Sequence, residues 1–195
     1  MRLFIALDID DSIRARIQRF VEGVSGFASE ARWVRPESMH VTLKFIGEKP
    51  ADAVEEIKHA VSAVKGVTFE ISFRGFGYFP TVKSARVFWV GIQAGPQLAS
   101  LATAVDQATA ALGIPKEAHP YSPHLTLARG GGGSGAPGRQ RENRPNRGFQ
   151  KLQEKLAALP SPEFGTMTAR EFFLYQSQPM RGGARYTKIE RFELG

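Results

Sequence analysis

His40-Val41-Thr42-Leu43 and His124-Leu125-Thr126-Leu127 are one four-residue word written twice. Each copy lies in a short apolar, β-favouring stretch, and strand side chains alternate between faces. Each histidine therefore shares a face with its threonine, while the two aliphatic side chains turn the other way. One face is core. The other presents an imidazole that titrates near neutrality beside a hydroxyl that can hydrogen-bond an anion.

Working outward, the elements around the two copies repeat. Arg2 to Ile9 reads as a buried strand, and Asp10 or Asp11 is placed to cap a helix running to about Val24. Arg32 to Arg35 reads as a short strand ending at Pro36, and Met39 to Ile46 as the first motif strand, stopped by Gly47. Asp52 to Val64 has helical spacing, Val67 to Phe73 alternates as a strand, and Ser84 to Ile92 reads as a strand reached through a turn at Gly75 to Pro80. In the second half an Ala-rich helix spans Leu98 to Leu112, and His124 to Ala128 forms the second motif strand. Helical spacing returns over Phe149 to Leu159, and strand patterns follow over Thr166 to Gln176 and Arg185 to Leu194. Helix, motif strand, helix, strand, strand thus occurs twice. That order predicts an α+β fold of two pseudo-twofold-related lobes facing each other across a cleft. Residues 1–195 are expected to form one bilobal domain, interrupted by a flexible Gly- and Arg-rich loop at 130–148.

The composition bounds the chemistry. A chain of 195 residues, 42% hydrophobic, can bury a substantial core, and the absence of cysteine excludes disulfides and thiol nucleophiles. A cytoplasmic, soluble and monomeric protein is expected, since no stretch has the length of a signal peptide or a membrane span. The formal charge of +7 suggests an anionic partner. Much of that excess lies between Arg139 and Lys151, where five basic residues face Glu142 alone, and a solvated basic loop explains it as well as an RNA-contacting arm.

Of the four histidines, His59 in a helix and His119 before Pro120 read as structural. The motif pair invites three chemistries. A metal centre is disfavoured because each strand supplies one good ligand, with no nearby Cys or carboxylate. A serine triad lacks both a Gly-x-Ser-x-Gly elbow and a carboxylate to orient either imidazole. Two histidines flanking a phosphodiester need neither: one deprotonates water or a hydroxyl, the other protonates the departing oxygen, and threonine hydroxyls with a cation hold the non-bridging oxygens.

The two His-x-Thr words, Arg32-Trp33-Val34-Arg35-Pro36, the run His40 to Gly47, and Ser122-Pro123-His124 to Arg129 resemble the two-histidine (2H) phosphoesterase superfamily. The similarity is greatest to its RNA 2′,3′-cyclic phosphodiesterase branch, also called 2′-5′ RNA ligase. Phe172 to Ser177 and Arg181 to Tyr186 resemble that branch too, whereas Gly130 to Arg147 matches no element of it. The resemblance implies that each lobe is an antiparallel sheet with outer helices and that the cleft between them carries out cofactor-free hydrolysis of an RNA 2′,3′-cyclic phosphate end to a phosphomonoester, usually the 2′-phosphate. It implies His40 as the acid and His124 as the base, with the reverse order left open, and Thr42, Thr126 and Arg129 as phosphate ligands. Lys44 shares the His40 face by period two and reads either as added positive potential or as a surface lysine. Among the aromatics Phe45, Phe76, Tyr78, Phe79 and Tyr121, the turn-proximal Tyr121 and Phe79 are the best placed to stack a base. Three alternatives stay open: ATP-independent ligation of a cyclic phosphate end to a 5′-hydroxyl, cleavage of small nucleotides, and a non-catalytic RNA-binding module.

Overall fold

Apolar periodicity becomes two antiparallel sheets in the computed structural model, which describes residues 1–130 and 147–195. In chain order the elements are β1 (Arg2–Leu7), α1 (Asp11–Val24), β2 (Arg32–Trp33), β3 (Val41–Glu48), α2 (Ala53–Ser62), β4 (Phe69–Phe79), β5 (Val87–Ala94), α3 (Pro96–Ala110), β6 (His124–Arg129), α4 (Gln150–Ala157), β7 (Glu163–Ala169), β8 (Glu171–Met180) and β9 (Gly183–Glu193). One sheet has the order β3-β1-β8-β9 and the other β2-β6-β5-β4-β7. The segment expected as a loop over 130–148 falls mostly in residues 131–146, outside the described residues.

The two lobes are not the two halves of the chain. β5, like β1, is followed by a helix and then a motif strand, and with β5 counted as the start of the second repeat each motif strand lies beside the strand that opens its own repeat, β3 against β1 and β6 against β5, but the later strands cross over. β4, from the first repeat, pairs with β5, and β8, from the second, pairs with β1. The sheets therefore match in order, β3-β1-β8-β9 against β6-β5-β4-β7, while exchanging strands.

Two sequence expectations change here. The strand pattern over Thr166 to Gln176 is two strands in different sheets: Ala169 pairs with Phe69, and two residues later Glu171 pairs with Glu193. The alternating apolar residues Met167 and Ala169 are separated from the continuous buried run Phe172 to Tyr175 by Arg170 and Glu171 alone, and no turn residue marks the crossing. Gly75 to Pro80 is not a turn but the second half of β4; Gly75, at φ +69°, accommodates a register shift between Phe73 and Phe76, and the chain reverses only after Phe79. Farther along, Gly77 is required by close approach, since a Cβ there would lie 2.2 Å from the Trp89 ring.

Helices bury one apolar stripe each, Ile13 and Ile17 in α1, Val54, Ile57 and Val61 in α2, and Leu98, Leu101 and Val105 in α3. Asp10 occupies the N-cap position of α1 without a side-chain cap; its carbonyl accepts the Arg14 amide instead. The main core joins residues of both sheets, among them Ile5, Leu7, Val41, Phe88, Val90 and Leu125. The other face of the first sheet carries a separate aromatic layer of Phe4, Ala6, Phe173 and Tyr175, with Tyr186 packed against it. No helix among the described residues is long and apolar enough to cross a membrane.

Candidate active site

The two motif words adopt matching geometry. Val41, Leu43, Leu125 and Leu127 are buried, while His40, Thr42, His124 and Thr126 are only partly covered, as period-two alternation requires. His40 immediately precedes β3, and His124 is the first residue of β6. Each ring is held the same way: His40 Nδ1 lies 2.8 Å from the Ser38 carbonyl, and His124 Nδ1 lies 2.8 Å from the Ser122 carbonyl. A carbonyl only accepts, so Nδ1 carries the proton in both rings. In the neutral imidazole that leaves the Nε2 lone pair available.

A β-bulge follows each motif at the same position. Thr42 pairs with Ala6 and Lys44 with Ile5, which leaves Leu43 unpaired; Thr126 pairs with Trp89 and Ala128 with Phe88, which leaves Leu127 unpaired. The extra residue reverses the alternation beyond it. Arg129, which strict alternation would aim away from His124, therefore returns to the face of His124 and Thr126 and is exposed. The same reversal corrects the placement of Lys44. It is 2% exposed on the core side, with Nζ 2.6 Å from Asp106, 2.6 Å from the Pro115 carbonyl and 3.5 Å from Glu117. Phe45 takes the outward position instead, 57% exposed.

The sheets bring the two words together. Cα atoms of β3 and β6 come within 8 Å. The Val34 amide, just past β2, donates to the Leu127 carbonyl, and the Tyr121 hydroxyl donates to the Thr42 carbonyl at 2.9 Å. Arg129 acts electrostatically on both histidines, and His124 on His40. Burial pushes the His40 pKa down to about 4, with Arg129 and His124 adding to the fall and the Ser38 hydrogen bond and Asp8 opposing it. Burial also lowers His124, helped by Arg129 and opposed by the Ser122 bond. Both rings rest neutral near pH 7.

Aromatic side chains seat both rings. His40 packs on Phe4 at 4.8 Å and edge-on against Tyr186 at 5.1 Å, and His124 meets Phe79 edge-on at 4.9 Å. Phe76 and Tyr78 turn toward the main core, where Tyr78 stacks on Phe88. The sequence did not point to Asp8 or Arg14. Burial pushes the Asp8 carboxyl up, but hydrogen bonds from Lys188, the Ile9 amide and Arg14 outweigh it and hold the pKa below the usual value. Arg14 in turn donates to the Pro36 carbonyl at 2.5 Å and bonds Asp8 at 2.6 Å, bracing the turn that leads into His40. Lys188 and Pro36, which complete the network, lie far along the chain, where no local pattern announces them.

Comparison with known proteins agrees with this geometry. The family described as LigT like Phosphoesterase matches the chain twice, over residues 7–89 and over residues 90–186, which follows the duplicated order of elements. The RNA 2′,3′-cyclic phosphodiesterase of Archaeoglobus fulgidus is 33% identical over 193 residues, covering 99% of this chain and 100% of the relative. The protein of the same name from Methanothermobacter thermautotrophicus is 31% identical over 196 residues, covering 100% and 99%. The crystal structure of E. coli LigT complexed with 3′-AMP superposes with a TM-score of 0.76 at 26% identity, covering 99% of this chain and 97% of that one. The duplicated match, the full-length relatives and the shared fold converge: this chain belongs to the LigT like phosphoesterase family.

Proposed function

We propose that this chain hydrolyses RNA 2′,3′-cyclic phosphate ends to a 2′-phosphate and a free 3′-hydroxyl, using His40 and His124 as acid and base. The observation that carries the proposal is the matched pair of Nδ1–carbonyl bonds, which leaves one Nε2 available on each motif strand. The name shared by the full-length relatives supports the substrate. His40 first takes up a proton at Nε2 as the anionic substrate enters; His124 Nε2 then takes a proton from water as its oxygen attacks phosphorus, the bond from phosphorus to the 3′ oxygen breaks, and that oxygen takes the Nε2 proton of the His40 imidazolium. Asp8 favours the imidazolium at His40, and an anionic phosphate in the cleft adds to that effect. Thr42, Thr126 and Arg129 hold the non-bridging oxygens as charge develops.

Phe79, beside His124, and the exposed Phe45 support base stacking, whereas the Tyr121 hydroxyl is committed to Thr42. One bilobal domain over 1–195 is supported by the core that draws on both sheets. A monomer is supported by one chain supplying both halves of the site, and a cytoplasmic setting by a cysteine-free sequence.

The test is an oligonucleotide ending in a 2′,3′-cyclic phosphate, incubated with the protein and a chelator, with the product analysed for which hydroxyl keeps the phosphate. Hydrolysis to the 2′-phosphate is expected, falling by about 10²–10⁴ in His124→Ala. Full activity in that variant would overturn the assignment.

A further inference from the structure

Arg32 in β2 stands directly across from Arg129 in β6. Cross-strand partners project from the same face of a sheet. The neighbouring pair, Trp33 and Ala128, turns to the core, where Trp33 meets Phe88 edge-on and its indole N–H donates to the Ala28 carbonyl. Arg32 and Arg129 therefore lie side by side on the opposite face, the one that carries Thr126 and His124, and both are exposed.

Like charges directly opposite each other weaken an antiparallel pair. Among the described residues no ion pair includes either arginine, although carboxylates pair with Arg14, Arg74 and Arg191 elsewhere. The two differ in place. Arg129 is on the motif strand itself and acts on both motif histidines, whereas Arg32 is one strand farther out, on the edge strand β2.

We propose that Arg32, standing beside Arg129, forms a second anion subsite, which takes the phosphodiester next to the cyclic phosphate end of an RNA strand. This rests on the phosphodiesterase reading and narrows it. Adjacent strands lie about 4.8 Å apart, and two long arginine side chains rooted at that spacing can diverge to meet successive phosphates of a single strand. With Arg129 on the terminal phosphate, Arg32 meets the one before it. A substrate with two phosphates then relieves the repulsion between the guanidinium groups, and a mononucleoside cyclic phosphate does so only in part. The subsite selects RNA ends over small cyclic nucleotides.

The experiment compares kcat/KM for a mononucleoside 2′,3′-cyclic phosphate and for a dinucleotide ending in a 2′,3′-cyclic phosphate, in the unmodified protein, Arg32→Gln and Arg32→Lys. The unmodified protein is expected to prefer the dinucleotide, and Arg32→Gln to reduce that preference about tenfold, through KM. Arg32→Lys restores part of it. The salt dependence of dinucleotide KM should lose a slope of about 0.7 in Arg32→Gln, one phosphate contact on a single strand. An equal preference in the unmodified protein and Arg32→Gln overturns the subsite and leaves the phosphodiesterase reading standing. If the unmodified protein turns over neither substrate, that reading fails, and titration with a dinucleotide bearing a 3′-phosphate decides the subsite separately: weaker binding by Arg32→Gln supports it, and equal binding overturns it.

Discussion

The Tyr121 hydroxyl donates a 2.9 Å hydrogen bond to the Thr42 carbonyl, fastening the segment that leads into His124 to the strand that follows His40. Burial pushes the phenol well above its ordinary pKa, so it remains a donor at any working pH. Tyr121→Phe removes only this link. It should cost about 1–2 kcal/mol of stability, the ordinary effect of leaving a partly buried acceptor unmet. The larger effect should be kinetic: kcat falls roughly fivefold to tenfold with KM little changed, because the two imidazoles lose their fixed spacing. Denaturant titration and steady-state kinetics on one preparation check both.

Lys44 makes a second tie between the same segments, reaching from β3 to Asp106 in α3 and to the Pro115 carbonyl. Lys44→Met leaves Asp106 without its closest partner and should destabilise the protein by roughly 3 kcal/mol. Replacing both charges, as Lys44→Met with Asp106→Leu, should recover most of that loss, since the cost comes from the stranded charge. A double-mutant cycle in urea measures the coupling.

Acid should weaken the fold through His40. Its pKa lies at about 4 in the folded protein against 6.5 when unperturbed, so between those values the unfolded chain binds the extra proton. The stabilisation is complete above pH 6.5 and is lost as pH falls through the window to 4, with His124 contributing in the same direction. The loss for His40 is on the order of 2–3 kcal/mol. Unfolding free energies at pH 7.5 and 4.5 should differ less in His40→Asn than in the unmodified protein.

Arg129 lowers the pKa of both motif histidines, so its removal should raise both. In Arg129→Met the acid limb of the kcat/KM profile, set by the histidine that must be neutral, moves to higher pH. The plateau falls by about 10²-fold as the guanidinium leaves the phosphate. Histidine NMR titration of the free protein reads the pKa change independently of turnover, and an unmoved His124 signal would contradict it.

Much of the frame was legible in the sequence because it is local. The helical spacing over Asp52 to Val64 and Leu98 to Leu112 became α2 (Ala53–Ser62) and α3 (Pro96–Ala110), with boundaries shifted by one or two residues. The motif strands emerged with the expected faces, because alternating burial is written residue by residue. Lys44 and the Thr166 to Gln176 pattern misled for one reason: periodicity reports that a side chain is buried or exposed, not which strand lies beside it.

The sequence by itself determined the duplicated His-x-Thr words, the repeated order of elements and the side chains available for acid–base chemistry. Only the tertiary structure decided that β4 and β8 cross between sheets, that unpaired Leu43 and Leu127 send Lys44 inward and Arg129 outward, and that Arg32 stands beside Arg129. A bulge is a mismatch between two strands, and a sheet neighbour is chosen by segments far apart in the chain. Neither property belongs to any one stretch, so neither can be read before the strands have met.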